Sequence, residues 1–142
     1  MSDHNTRLLS CIADAFMEDR MDFAASCFAY PQPVFLRGDL QVFGSAATFI
    51  EALRLYRAAA RAIGTVKLRP RVVAEGLEHN GYGSVWVEWD HLDRDGKCLR
   101  TNQVRYATYQ PKGALYPTIE MIDYTVTAFP NALDALPRAQ IA

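Results

Sequence analysis

The stretch that most limits what this chain can fold into is residues 81–110. Tyr82–His91 (YGSVWVEWDH) and Gln103–Tyr109 (QVRYATY) carry Val, Trp and Tyr at strand-like density and alternate polar with apolar residues. Between them lies Asp93-Arg94-Asp95-Gly96-Lys97. That order suits a type I turn with a left-handed glycine, closing as a bulge. Each arm can reach about ten residues, roughly 33 Å, which is long for a small domain. A third run, Tyr116–Phe129, extends the hairpin into a meander.

Register decides which side chains share a face. The bulged turn sets Asp93 opposite Lys97. Trp86 and Glu88 then share a face with Asn102, Val104 and Tyr106, and Val85, Val87 and Trp89 share the other with Gln103 and Arg105. A two-residue Asp95-Gly96 turn shifts the register by one and puts Glu88 with Gln103 and Arg105. The bulged register is the expected one. It leaves mixed groups on both faces, which suits helices and a pocket on one side and a subunit contact on the other.

At 142 residues the chain is expected to be one domain, and 50% hydrophobic content is ample for a core. A net charge of −1 with 22% charged residues argues against nucleic-acid binding, which needs a basic face. No run approaches the roughly 20 apolar residues of a membrane span. MSDHNTRLLS lacks the cationic and apolar regions of a signal peptide, so a cytoplasmic location is expected. Cys11, Cys27 and Cys98 are far apart in sequence and read as reduced, partly buried thiols. His4, His79 and His91 show no ligand spacing, so neither a metal site nor another cofactor is expected.

Before the hairpin the pattern is helical. Asn5 or Thr6 can cap a first helix whose apolar positions are Leu8, Leu9, Ile12, Ala13, Phe16 and Met17. Asp22 can cap a short second helix, ended by Tyr30-Pro31-Gln32-Pro33. Val34–Arg37 and Leu40–Phe43 read as short strands around Gly38-Asp39, and a tight turn accounts for Arg37-Gly38-Asp39 better than an integrin-type motif does. Ser45 caps the longest helix, Ala46–Ile63, which Gly64 stops; its expected core stripe is Ala46, Phe49, Ile50, Leu53, Ala60 and Ile63. Thr65–Glu78 is extended, with Lys67, Arg69 and Arg71 on one side and Pro70 marking a bend or an edge. Asn131–Leu136 reads as one more short helix. Helices segregated from an antiparallel sheet give an α+β fold.

The short strand, glycine and helix start in Val42-Phe43-Gly44-Ser45-Ala46-Ala47, the meander, the Asp93–Lys97 turn and the last strand Thr118–Phe129 together resemble the nuclear transport factor 2-like (NTF2-like) superfamily. That α+β cone, cystatin-like in outline, also houses ketosteroid isomerases and SnoaL-like cyclases. The resemblance implies a curved sheet wrapped around the long helix, an internal pocket and a homodimer through the open sheet face. It does not carry function. Ketosteroid isomerases use a first-helix tyrosine, and this first helix has none, with Phe16 and Met17 in its apolar core. SnoaL-like cyclases use a pocket acid, for which Asp123 in Met121-Ile122-Asp123-Tyr124 is the counterpart.

The candidate catalytic residues are Asp123 and Glu88, carboxylates whose burial in a pocket would raise their pKa for proton transfer. Their plainer roles are cross-strand ion pairs, Glu88 with Arg105 or Arg100. The candidate ligand contacts are Tyr30, Tyr56, Trp86, Arg105, Tyr106 and Tyr124, aromatic wall residues plus one guanidinium whose fork matches a carboxylate. Trp89 and Tyr109 belong to the same aromatic set, with core packing as the plainer role. Arg54, Arg57 and Arg61 form a stripe on the long helix that reads as a solvated face. The expected function is binding of a small aromatic or apolar molecule in the cone. The alternatives are a metal-independent cyclase, isomerase or dehydratase, and a structural or accessory subunit.

Overall fold

Val85, Val87 and Trp89 point one way from a strand, and Trp86, Glu88 and Asp90 point the other; that alternation sets the architecture. The computed structural model describes residues 3–36 and 38–129. Two N-terminal helices, α1 (Asp3–Met17) and α2 (Met21–Ser26), precede strands β1 (Gln32–Leu36) and β2 (Asp39–Phe43). Helix α3 (Ala46–Ala62) follows, then β3 (Lys67–Glu75), β4 (Tyr82–Leu92), β5 (Cys98–Tyr109) and β6 (Thr118–Val126). The strands form one sheet in the order β2-β1-β6-β5-β4-β3. The β3–β6 meander is antiparallel throughout, and β1 joins β6 in parallel. The result is an α+β fold whose sheet curves over the helices. Each ladder of the meander carries a bulge, which bends the strands and deepens the concave face.

The hairpin register differs from the expected one. The turn itself is the bulged type: the Asp93 N–H bonds Lys97 O at 2.9 Å, and the Asp93 carboxylate accepts from the N–H groups of Asp95 and Lys97. One step into the ladder, however, His91 faces Arg100 while Leu92 faces Cys98, so Leu99 is an extra residue on β5. From there Val85 faces Tyr106, Val87 faces Val104 and Trp89 faces Asn102. The bulge aligns the apolar residues of both strands on one buried face. The register set by the turn alone would have turned half of them to solvent. The outer face then carries Trp86 with Arg105 and Glu88 with Gln103, so the two faces are better sorted than the sequence implied.

Smaller departures have local causes. Helix α1 begins at Asp3, ahead of the expected Asn5 or Thr6 cap. Helix α2 begins at Met21, so Asp22 lies inside its first turn, and Arg20 precedes it without a side-chain cap. Ser45 does cap α3, exchanging bonds with Thr48. On α3 the buried residues are Phe49, Ala52, Tyr56 and Ala60, while Ala46 is exposed, because the helix presents a different angular face to the sheet. Phe49 packs at 4.8 Å from the Phe28 ring and 5.4 Å from the Phe43 ring, anchoring the α3 start over the α2 exit. Arg57 leaves its helix stripe to donate twice to Met17 O, closing the carbonyl end of α1. The expected helix Asn131–Leu136 and Arg37 lie outside the described residues.

Candidate functional site

The inner sheet face and the three helices enclose a cavity of about 80 Å³. Its apolar wall is Ile12, Ala13 and Phe16 of α1, Ala24 and Phe28 around α2, Phe49 and Leu53 of α3, Leu68 of β3 and Ile122 of β6. Its polar groups come from Tyr56, Trp89, His91, Asn102, Tyr106 and Tyr124. Strand parity explains this set. Val85, Val87, Trp89 and His91 recur every second residue on β4, and Asn102, Val104 and Tyr106 answer them on β5.

The polar groups form two linked sets. In the first, Trp89 Nε1 donates to the Tyr106 hydroxyl at 2.8 Å. That bond uses the oxygen of Tyr106 as acceptor and leaves its own proton to be donated. Tyr124 stacks on Tyr56 with ring centroids 5.8 Å apart. Burial and the neighbouring phenols push the pKa of Tyr106 and of Tyr124 upward, so both stay protonated donors. In the second set, Asn102 Oδ1 accepts from the Ala128 N–H, which fixes the amide orientation. Asn102 Nδ2 therefore turns to His91 Nε2 at 3.4 Å, and Nε2 is the acceptor. His91 then carries its proton on Nδ1, which meets Thr65 Oγ1 at 3.3 Å. Burial, and secondly the Arg100 charge, lowers the His91 pKa to about 4. The ring is neutral at pH 7.

Phe129 backs two residues of the cavity wall, edge-on to His91 at 5.0 Å and to Tyr56 at 6.5 Å. Arg100 sits over the Phe129 ring at 5.2 Å and donates to Ala128 O. An exposed cation therefore borders a site whose lining carries no charge at neutral pH.

Tyr56, Tyr106 and Tyr124 meet in this cavity. Four other candidates do not. Trp86, Glu88, Arg105 and Asp123 all stand on the outer face. Asp123 lies 3.9 Å from Arg105, and Glu88 pairs with Arg71 at 2.6 Å instead of with Arg105 or Arg100. Neither expected catalytic carboxylate reaches the pocket. Tyr30 turns its hydroxyl to Ala25 O at 2.7 Å and its ring edge to Phe49, so it braces the α2 exit; burial pushes its pKa up to about 12. His91 and Asn102 were not singled out from the sequence as site residues. Parity from Trp89 would have found His91, and cross-strand pairing Asn102.

The outer face holds a charged cluster that sequence reading also missed. Asp90 is 2% exposed although it faces outward. Arg69 and Arg71 both bond its Oδ2, Arg71 also reaches Oδ1, and Thr101 donates to Oδ1. The Arg71 bonds, ahead of the others, hold this carboxyl well below the usual range. A carboxylate so fully paired is a structural anion. Among the described residues no group of three or more His, Cys, Asp and Glu side chains could hold a metal, and no helix is long and apolar enough to cross a membrane.

No protein-family model matches the chain, and no curated protein sequence matches it. Solved structures do. An NTF2-like protein of unknown function from Shewanella oneidensis MR-1 superposes with a TM-score of 0.66 at 14% identity, covering 86% of this chain and 96% of that one. A protein of unknown function with a cystatin-like fold from Nostoc punctiforme gives 0.63 at 8% identity, covering 88% and 90%. A protein from Catenulispora acidiphila, solved in complex with S-DNPA, gives 0.59 at 11% identity, covering 85% and 90%. At these identities the likeness speaks to architecture alone, and it agrees with the sheet order, the helix placement and the cone: the chain has the NTF2-like fold.

Proposed function

We propose that this chain binds a small, uncharged, mostly apolar or aromatic molecule in the cone, with a hydrogen-bond acceptor directed at the tyrosines. The observation that carries this reading is the cavity lining. An apolar wall surrounds protonated phenols, with a spare donor on Tyr106 and no charged side chain. A charged ligand would be desolvated there without a partner, so a neutral acceptor is favoured. The cavity of about 80 Å³ is small; an apolar cavity of about 150 Å³ is what benzene needs. Anything as large as a substituted ring therefore has to shift the wall, for which the Phe129 ring behind His91 and Tyr56 is one place to yield. A neighbour of the same fold that is solved with S-DNPA supports a small-molecule role.

The test is a thermal-shift and calorimetric series of small aryl ketones, phenols and benzoates. Neutral acceptor-bearing members should raise the melting temperature and benzoates should not. Tyr106→Phe should weaken the best binder about fivefold to tenfold, the worth of one hydrogen bond. Phe129→Ala should admit larger rings. If no compound in the series binds wild type or Phe129→Ala, the reading fails.

One observation favours a second, enzymatic reading of the same cavity. His91 is neutral, and its acceptor nitrogen Nε2, which a substrate proton would have to take from a long 3.4 Å bond with Asn102, belongs to the same cavity wall as the phenolic donors. His91 as base and a tyrosine as donor to the oxyanion would suit a metal-independent isomerase or dehydratase step. Exchange of α-hydrogens in a bound aryl ketone for deuterium, followed by NMR and lost in His91→Gln, would support it; exchange no faster than in buffer would remove it. A homodimer through the outer sheet face belongs to the same proposal. Trp86 and the half-exposed Arg105 and Asp123 pair give that face a contact patch.

A further inference from the structure

Cys11 and Cys27 open onto one groove. It runs between α1, α2 and the segment that leads into β6, has a volume of about 310 Å³, and is lined also by Leu8, Phe23, Tyr116 and Pro117. Helices α1 and α2 form a hairpin whose turn contains Asp19 in the left-handed conformation, φ 59°. Cys11 lies eight residues before Asp19 and Cys27 eight after it. Equal spacing from the turn puts the two at a similar level along paired helices. The thiols are close enough for the charge of one to act on the other, and Cys27 Sγ is held toward the α2 side by its contact with Phe23 O at 3.5 Å. Cys98 is elsewhere, at the start of β5 beside Thr101.

We propose that Cys11 and Cys27 are a redox pair that closes to an intramolecular disulfide on exposure to hydrogen peroxide, clamping α1 to α2. Cys11 is the exposed thiol and reacts first. Its thiolate attacks a peroxide oxygen; the S–O bond forms, the O–O bond breaks, and the leaving hydroxide departs as water. The Cys27 thiolate then attacks Cys11 Sγ. The S–S bond forms, the S–O bond breaks, and a second water leaves with the proton that Cys27 has given up. In sum, two thiols lose two electrons and two protons, and one peroxide becomes two waters. Burial pushes the Cys27 thiol up, so the second step is the slow one and accelerates as pH rises. Because Ile12 and Phe16 on α1 and Ala24 on α2 wall the cone, the clamp stiffens one side of the cavity.

Peptide mapping of the intact protein after hydrogen peroxide tests this directly. Arg20 lies between the two cysteines, so trypsin separates residues 8–20 from 21–37. The expected product is those two peptides joined, lighter by two hydrogens and released by dithiothreitol. Cys11→Ser and Cys27→Ser should each abolish it and Cys98→Ser should not. The oxidised protein should melt several degrees higher, with the rise absent from both single variants. Joined peptides with an unchanged melting temperature would overturn the clamp. Linkage between chains, linkage to Cys98, or recovery of Cys11 and Cys27 only as sulfinic or sulfonic acids would overturn the pair itself.

Discussion

His91 is 3% exposed, neutral at pH 7, and bonded on both ring nitrogens, so protonating it means placing a charge in a lining that has no anion. Its pKa falls from 6.5 in the unfolded chain to about 4 in the fold. The unfolded chain therefore binds the extra proton first as pH falls. The stability that the neutral ring contributes is fully present above pH 6.5, drains away between about 6.5 and 4, and is gone below. The size of this loss is about 3 kcal/mol, from a shift of two to three units. Asp90 works in the same direction but lower, because a carboxyl held below its ordinary range loses its contribution only under about pH 4. Urea unfolding at pH 7 and pH 4.8 should show the drop in wild type and a much flatter profile in His91→Phe. A wild-type protein equally stable at both values would mean that the ring is not buried as described. Little of this was visible in the sequence. The histidine was legible as a residue without ligand spacing, and its placement needed the register.

At the scale of elements, local chemistry was readable and long-range alignment was not. Ser45 and the positive φ of Gly64 bound α3 as the sequence pattern indicates, and the Asp93–Lys97 turn has the expected geometry. The register failed one residue beyond that turn, at Leu99, because burial of Val104 and Tyr106 with Val85 and Val87 outweighed the continuation set by the turn. That choice is made across strands, and it sets Trp86 and Glu88 on the same face as Arg105, where the expected register had them on opposite faces. The parallel β1–β6 pairing is equally non-local. Two glycines allow the turn chemistry to be tested separately. Gly96 has φ 81° with open space around it, and Gly81 has φ 86° with Gln110 O only 2.7 Å from where a Cβ would stand. Gly96→Ala should cost about 1 kcal/mol, the backbone penalty alone. Gly81→Ala adds a clash with backbone at the β3–β4 turn and should cost at least about 2 kcal/mol. Chemical denaturation of the two variants side by side checks this; equal costs would mean that the close approach of Gly81 to Gln110 is absent in solution.

At the scale of the molecule, the convex face of the sheet has to be accounted for. Its central charges are matched internally: Asp90 by Arg69 and Arg71, Glu88 by Arg71, Asp123 by Arg105. Internal matching leaves a surface with little net field, on which a large side chain can decide association. Trp86, 38% exposed between these pairs, is that side chain, and Val126 at 47% extends the apolar area along β6. Interfaces draw most of their affinity from a few such aromatic anchors ringed by satisfied polar groups. The proposed homodimer should therefore depend on Trp86 far more than on the ion pairs. Trp86→Asp should weaken self-association about thirtyfold or more, read by sedimentation velocity over a dilution series. Leu77→Ser, which changes a residue 98% exposed on the β3–β4 connection, should leave association unchanged. Added salt should matter little, because the charges are paired within each chain and few are left to steer or repel a second copy. A wild type that sediments as a monomer at every concentration removes the dimer. A dimer that survives Trp86→Asp but dissociates in Leu77→Ser moves the contact from the sheet face to the hairpin ends.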